Sequence, residues 1–386
     1  MNFKYTEDQK RLRRELRNFA EEELSAVAAD VDSRDETAWE VVELLANQGI
    51  FRYLVPKKYG GIGVDTLNLC IIREELARVC VQASDIFIMS ELGGYPIVRF
   101  GNEEQKRKYL PPLAAGKMIG SYALTEPGAG SDVANIETTA ALKDGFYILN
   151  GRKIFATNGG AAEVCTTYAK TDLSLGPKGI SAFIIDGKNK QRGLTSRVMK
   201  TMGPGAEYEF VFENYHIPEE NLLGEEGGGM RIALTSLDLC RTTVGAHAVG
   251  LAQAAYEEAL RYSQQRKAFG KHLFEFQATQ FKLADMITNI TAARLLVYQA
   301  ASMTQLGKED KIIGRASMAK LFATETAQRV VDESLQIHGG MGVIRGSRME
   351  LLYRAVRLPR IYEGTSEIQR MTIARAISRG DIDGEW

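Results

Sequence analysis

Apolar residues recur at three- and four-residue intervals over roughly the first 120 positions. Leu12, Leu16, Phe19 and Ala20 form one such stripe, Val41, Leu44 and Leu45 a second, and Leu69, Ile72, Leu76 and Val79 a third. Each predicts an amphipathic helix. Pro56 with Gly60-Gly61-Ile62-Gly63 reads as a loop, and Pro111-Pro112 followed by Gly116 reads as the end of the helical run. From about Ser121 the pattern changes to short β-rich pieces. Phe146–Leu149 stands before Asn150-Gly151, followed by Val164–Ala169, Ile180–Ile185 and Phe210–Phe212, which predicts a small sheet or barrel. After the glycine-rich stretch 224–229, helical spacing returns in Leu234, Leu237, Val244, Val249, Leu251 and Leu260, then from Phe281 to Leu306 and from Ile312 to Ile337. These helices are long enough for an antiparallel bundle. Ser366 and Gln369 have capping-box spacing, and Ile368, Met371, Ala374 and Ile377 follow at helical intervals, so Thr365-Ser366 opens the last helix. The expected fold class is α+β in three parts: 1–120 helical, 121–225 β, and 226–386 helical.

Composition narrows the function classes. A chain of 386 residues exceeds the size at which one core usually keeps growing. Forty-eight Lys and Arg against forty-nine Asp and Glu leave no general field for nucleic acid or an anionic membrane. No run of about 18 apolar residues exists to span a bilayer, and Met1–Asp8 lacks the apolar core of a secretory signal, so a cytoplasmic chain is expected. Cys70, Cys80, Cys165 and Cys240 are too far apart for a zinc set and read as reduced core thiols; no metal is implied. His216, His247 and His272 have no spacing partners, His338 reads as a structural or merely polar residue, and all four read as non-catalytic.

Two stretches carry chemistry. Ile361-Tyr-Glu-Gly-Thr-Ser-Glu-Ile-Gln-Arg370 sets Glu363 on a glycine-softened turn just ahead of a helix start, beside free backbone N–H groups. Tyr122-Ala-Leu-Thr-Glu-Pro-Gly-Ala-Gly-Ser-Asp132 joins a short apolar strand to a loop able to approach an anion or a ring edge. It has neither the Gly-Lys-Ser/Thr of a P-loop nor G-x-G-x-x-G, so phosphate-motif rules leave it unassigned.

These stretches, with Gly151–Gly160, Arg266-Lys-Ala-Phe-Gly-Lys271 followed by Phe276-Gln277, and Gln336-Ile-His-Gly-Gly340, resemble in order the motifs of the acyl-CoA dehydrogenases. The resemblance spans essentially the whole chain and implies an N-terminal helical domain, a middle β-barrel or sandwich, and a C-terminal four-helix bundle. It implies FAD as cofactor, with the flavin lined by Tyr122, Leu124, Thr125, Gly130 and Ser131. Phe155 would lie against the ring and Thr157 near N5. Arg266, Phe269, Gln277, Gln336, Gly339 and Gly340 would reach the FAD of a neighbouring subunit in a homotetramer, with Thr365 and Glu367 also on the cofactor. Arg266 suits a pyrophosphate because its fork gives two parallel charged hydrogen bonds.

The same resemblance makes Glu363 the base that takes the α-proton of an acyl-CoA thioester. The Glu363 N–H and a ribityl hydroxyl would hold the thioester oxygen. Ser131, Asp238, Arg241, Tyr362 and Gly364 would contact substrate, and electrons would pass to an electron-transferring flavoprotein. Alternatives on the same scaffold are an enoyl-CoA reductase, an acyl-CoA oxidase or a non-catalytic FAD-binding assembly protein; a retained Glu363 argues against the last. Several residues depart from the family pattern. Phe155 and Ala156 stand where Trp and Ile are common, Met202–Phe210 is about two residues shorter, Arg354-Ala-Val-Arg357 lacks the usual acid, and Pro359 is unusual. Glu91, in Met89-Ser-Glu-Leu-Gly-Gly-Tyr-Pro96, reads either as a solvated acid near a helix end or as an acid facing a compact, cyclic or polar acyl group.

Overall fold

The computed structural model describes residues 5–187, 193–305 and 309–382. Six helices come first: α1 (Glu7–Phe19), α2 (Ser25–Val31), α3 (Trp39–Asn47), α4 (Thr66–Val79), α5 (Val81–Phe100) and α6 (Glu103–Ala114). Their starts follow local chemistry. Thr6 and Gln9 close a capping box at α1, and Asn102 and Gln105 close another at α6. The helical spacing of the Leu12, Val41 and Leu69 stripes is realised in α1, α3 and α4, whose apolar residues share one core.

The strands are β1 (Gly120–Ala123), β2 (Thr139–Lys143), β3 (Phe146–Lys153), β4 (Val164–Lys170), β5 (Ile180–Asp186), β6 (Leu194–Met199), β7 (Glu207–Pro218) and β8 (Leu222–Leu223). They form one eight-stranded sheet in the order β6-β7-β3-β2-β4-β5-β8, with β1 parallel to β4. The chain then becomes helical again: α7 (Gly229–Gln265), a two-stranded hairpin β9 (Lys267–Ala268) and β10 (Lys271–His272), α8 (Gln277–Gln305), α9 (Glu309–His338), α10 (Arg348–Val356) and α11 (Ser366–Ser378). Leu306, the expected end of one helix, lies outside the described residues. No helix among the described residues is long and apolar enough to cross a membrane.

α4 ties the two helical parts together through buried acids. Glu74 accepts from Arg294 Nε at 2.9 Å and from the Tyr298 hydroxyl at 2.7 Å, while Glu75 accepts from Arg13 Nε at 2.7 Å. α1 and α8 are thereby fastened to α4.

Three local expectations need correction. Asn150-Gly151 lies inside β3, at a shift in register, and the turn before that strand is made by Asp144 and Gly145, both at positive φ. Pro111 and Pro112 sit within α6, and the run ends only at Ala114, before Gly116 at φ +64°. The cap of α11 is Thr365, whose hydroxyl accepts from the Ile368 N–H at 3.3 Å, rather than Ser366. Ser366 instead donates to Glu325 at 2.7 Å.

Candidate active site

The turn between α10 and α11 carries two consecutive left-handed residues, Glu363 at φ +52° and Gly364 at φ +92°. A non-glycine residue in that region costs about 1–3 kcal/mol and persists only where its surroundings enforce it. Here two side chains grip the carbonyls. Lys320, on α9, donates from Nζ to the Tyr362 carbonyl at 3.2 Å and the Gly364 carbonyl at 2.6 Å. Gln369 donates from Nε2 to the Glu363 carbonyl at 3.2 Å and the Gly364 carbonyl at 2.9 Å. A Cβ on Gly364 would lie 2.6 Å from that Nε2, so this position excludes larger residues by contact as well as by φ.

The turn leaves its functional groups unspent. Glu363 Oε2 and the Tyr362 hydroxyl are buried without a hydrogen-bond partner, and the Glu363 N–H has no acceptor among the described residues. Burial raises the Glu363 pKa, opposed by the positive charges of Arg73, Lys320 and Arg241. Burial also pulls Lys320 down to about 8. Arg73 is fully buried on α4, donates to the Thr243 hydroxyl at 3.4 Å, and leaves Nε free. Arg241 is buried on α7 and paired with Asp238 one turn earlier. His247, also on α7, is held neutral by burial and bonds through Nδ1 to Ser84 at 2.8 Å.

Further acids face this centre. Burial pushes Asp85 up to about 7, and Glu363 is among the charges acting on it. Glu207, also raised to about 7 by burial, accepts the Thr157 hydroxyl, with both carboxylate oxygens at 2.9 Å. Glu91 is 2 % exposed in the body of α5, not solvated near a helix end, and both of its oxygens lack partners. Arg73, Lys320, Asp85, Glu207 and Gln369 were not among the residues expected from sequence.

The two stretches assigned to the flavin come together in space. The Ile154 N–H donates to the Thr125 carbonyl at 2.9 Å, Lys153 Nζ donates to the Leu124 carbonyl at 3.1 Å, and the Ser121 hydroxyl donates to the Thr157 carbonyl at 2.8 Å. Tyr122 and Leu124 are buried, whereas Gly130 and Ser131 are exposed. Phe155 is held at φ +56° with 51 % of its surface open. Arg266 joins Gly339 and Gly340 around a cleft of about 380 Å³ that also includes His338, stacked on Tyr262 at 4.4 Å. Phe269, on the β9–β10 hairpin, is 95 % exposed at φ +51°; Gln277 opens α8, Gln336 lies near the end of α9, and all three are exposed. Thr365 and Glu367 sit at the start of α11, Glu367 exposed.

These surfaces fit an FAD. Two aromatic faces are held open in strained backbone, and a Cβ on Gly130 or Gly340 would meet nothing within 4 Å, so packing within the chain does not demand glycine there. A basic side chain beside the cleft suits a pyrophosphate.

Comparison with known proteins adds independent findings. The chain matches the acyl-CoA dehydrogenase N-terminal domain over residues 6–117, the middle domain over 121–215 and the C-terminal domain over 227–378. It is 43 % identical to a 3-(aryl)acrylate reductase of Clostridium sporogenes, covering 96 % of this chain and 98 % of that one. It is 41 % identical to the CarC subunit of the caffeyl-CoA reductase–Etf complex of Acetobacterium woodii, again covering 96 % and 98 %. The solved butyryl-CoA dehydrogenase of Megasphaera elsdenii is 39 % identical and superposes with a TM-score of 0.93, covering 98 % of this chain and all of that one.

Proposed function

The chain belongs to the acyl-CoA dehydrogenase family of FAD-dependent oxidoreductases, and we propose that Glu363 is the base that removes the α-proton of its acyl-CoA thioester. One observation carries this reading: a buried, unpartnered carboxyl oxygen, Oε2, and a free N–H belong to the same left-handed residue. Burial makes the carboxylate a stronger base than in water, while Arg73, Lys320 and Arg241 keep it able to ionise. The Glu363 N–H is placed to hold the thioester oxygen as negative charge builds there. FAD, when bound, supplies the acceptor for the hydride leaving the β-carbon. Phe155 orients it on one face, with Tyr122, Leu124, Thr125, Gly130, Ser131 and Thr157 along its edge. Asp238 and Arg241 hold the CoA portion, and Ser131, Tyr362 and Gly364 flank the acyl thioester.

Because Phe269 projects away from its own chain, we assign Arg266, Phe269, Gln277 and the Gln336–Gly340 stretch to a neighbouring copy's FAD within a homotetramer. The division at 1–120, 121–225 and 226–386 belongs to the same reading. An electron-transferring flavoprotein as redox partner is supported by the Etf-associated relative. Four buried free thiols suit a reducing cytoplasm.

Replacement of Glu363 by Gln keeps the shape and removes the base. Turnover of the FAD-loaded enzyme should fall at least ~10²- to 10⁴-fold with FAD retained. Near-normal kcat in the purified variant overturns the assignment. Two relatives are named as reductases, and in that direction the same Glu363 returns the α-proton; comparing acyl-CoA oxidation with enoyl-CoA reduction decides between them.

A further inference from the structure

One acid close to the Glu363 turn has no part in proton removal. Glu91 is buried in α5, and neither carboxyl oxygen has a hydrogen-bond partner. Its surroundings come from three helices and the catalytic turn. Cys70 on α4 and Cys240 on α7 feel its charge, as does Arg73 on α4, and Glu363 acts on it in turn. Arg73 does not satisfy it, since its hydrogen bond goes to Thr243 at 3.4 Å. Two residues along, a Cβ on Gly93 would lie 2.6 Å from the Ser121 carbonyl oxygen, so α5 packs directly on β1 at this level. Glu91 therefore lies in the buried body of α5, within electrostatic reach of α4, α7 and the Glu363 turn, with its polar end unspent. Chains keep a buried carboxyl in this condition only at a cost, and an external partner removes that cost.

We propose that Glu91 hydrogen-bonds the acyl group itself, beyond the β-carbon, and that the substrates are acyl-CoA thioesters carrying a hydroxyl or ketone oxygen there rather than plain alkyl chains. The assignment rests on the reading of Glu363 as base. The two acids differ in environment: burial and the Glu363 charge push Glu91 up to about 8, against Arg73, whereas Glu363 is held by three cations. Burial thus holds Glu91 toward its protonated form. A protonated carboxyl offers one donor and keeps acceptor capacity, so a hydroxyl can engage both and a ketone the donor. An alkyl tail leaves both unpaired, and sites built to hydrogen-bond a substrate reject analogues that lack the polar atom.

The test uses the FAD-loaded enzyme with a dye acceptor and compares kcat/KM within matched pairs. These are 5-oxohexanoyl-CoA against hexanoyl-CoA, and 3-(4-hydroxyphenyl)propanoyl-CoA against its 4-methyl analogue. The wild type should favour the oxygenated member of at least one pair by about tenfold or more. Glu91→Gln, which keeps a donor and an acceptor, should retain the order, and Glu91→Leu should reverse it. A wild type that prefers the hydrocarbon in both pairs overturns the proposal, as does an unchanged order in Glu91→Leu. Preference for 4-(trimethylammonio)butanoyl-CoA over all four would mean an ionised Glu91 and also overturns it. Should Glu91→Leu fail to fold, the wild-type ranking and Glu91→Gln still decide. A Glu363→Gln enzyme as active as the wild type, in acyl-CoA oxidation or in enoyl-CoA reduction, would instead refute the base assignment; turnover with the wrong ranking refutes only the role of Glu91.

Discussion

Lys320→Met removes the two hydrogen bonds that hold the carbonyls on either side of Glu363 while keeping a side chain of similar length. The lost bonds, at 3.2 and 2.6 Å, come from a charged donor. At about 1.5–3 kcal/mol each they sum to about 3–6 kcal/mol. Several kcal/mol return because an ammonium no longer has to be buried, a cost visible in its pKa of about 8. Net stability should therefore fall by only about 1–3 kcal/mol. Activity should suffer separately, because Glu363 is no longer held at φ +52°. Strain of about 1–3 kcal/mol at such a residue corresponds to about a 5- to 150-fold loss in kcat if the turn relaxes. Loss of a cation that favours the carboxylate also raises the Glu363 pKa. Because the free enzyme must present an ionised base, the acidic limb of the kcat/KM profile should move to higher pH. Lys320→Arg, which keeps the charge, should leave the limb nearer its wild-type position. Profiles taken from about pH 5 to pH 9, with flavin absorbance and thermal melting as controls, measure both effects. A limb that stays fixed or moves to lower pH in a folded, flavin-loaded Lys320→Met enzyme refutes the electrostatic argument.

Three further outcomes follow from the same geometry. Arg266→Ala should weaken both FAD retention and the oligomer, and a fully flavinated monomer in sedimentation analysis would contradict the shared-cofactor assignment. Gly364→Ala places a Cβ 2.6 Å from Gln369 Nε2 at φ +92°, so about 1–3 kcal/mol of stability and most of the turnover should be lost; a fully active variant with unchanged melting temperature would show that the turn is not constrained. Glu91, Asp85 and Glu207 have folded-state pKa values of about 8, 7 and 7, raised from 4.5, 3.8 and 4.5 by burial. The folded chain therefore binds more protons than the unfolded one between those limits, and stability should fall as pH rises toward 8. Glu91→Gln should flatten that decline in melting temperature, and an identical slope would remove Glu91 from the account.

The helix, sheet, helix order was legible because burial imposes a period of 3.6 or 2 over many residues, and local errors average out. Turns do not average. Asn150-Gly151 and Asp144-Gly145 are equally good turn dipeptides, and only the pairing of β3 with β2 and β7 puts the first inside a strand. The Glu363 turn was readable because its requirements, a glycine and a capping hydroxyl, are adjacent in sequence. Even there Gln369 misled: its spacing suggested a capping box, but its amide grips carbonyls of the turn.

The charges around Glu363 were missed for a different reason. Arg73 falls on the stripe formed by Leu69, Leu76 and Ala77, and Lys320 falls between Ala316 and Ala323, so a periodicity argument treats both as interruptions of an apolar face. Their partners are 170 and more than 40 residues away, beyond any local rule. A charge on an apolar stripe is nonetheless a signal, since local consistency is expected to fail where function overrides packing. The signal is not sufficient by itself. Glu74 and Glu75 share the Arg73 helix and are as deeply buried, yet Arg13, Arg17, Arg294 and Tyr298 satisfy them, and they fasten helices together. What separates Glu91 and Glu363 from that pair is the absence of a partner on their buried oxygens. A buried charge with its partners in the chain holds the fold together, and one without them is open to a substrate.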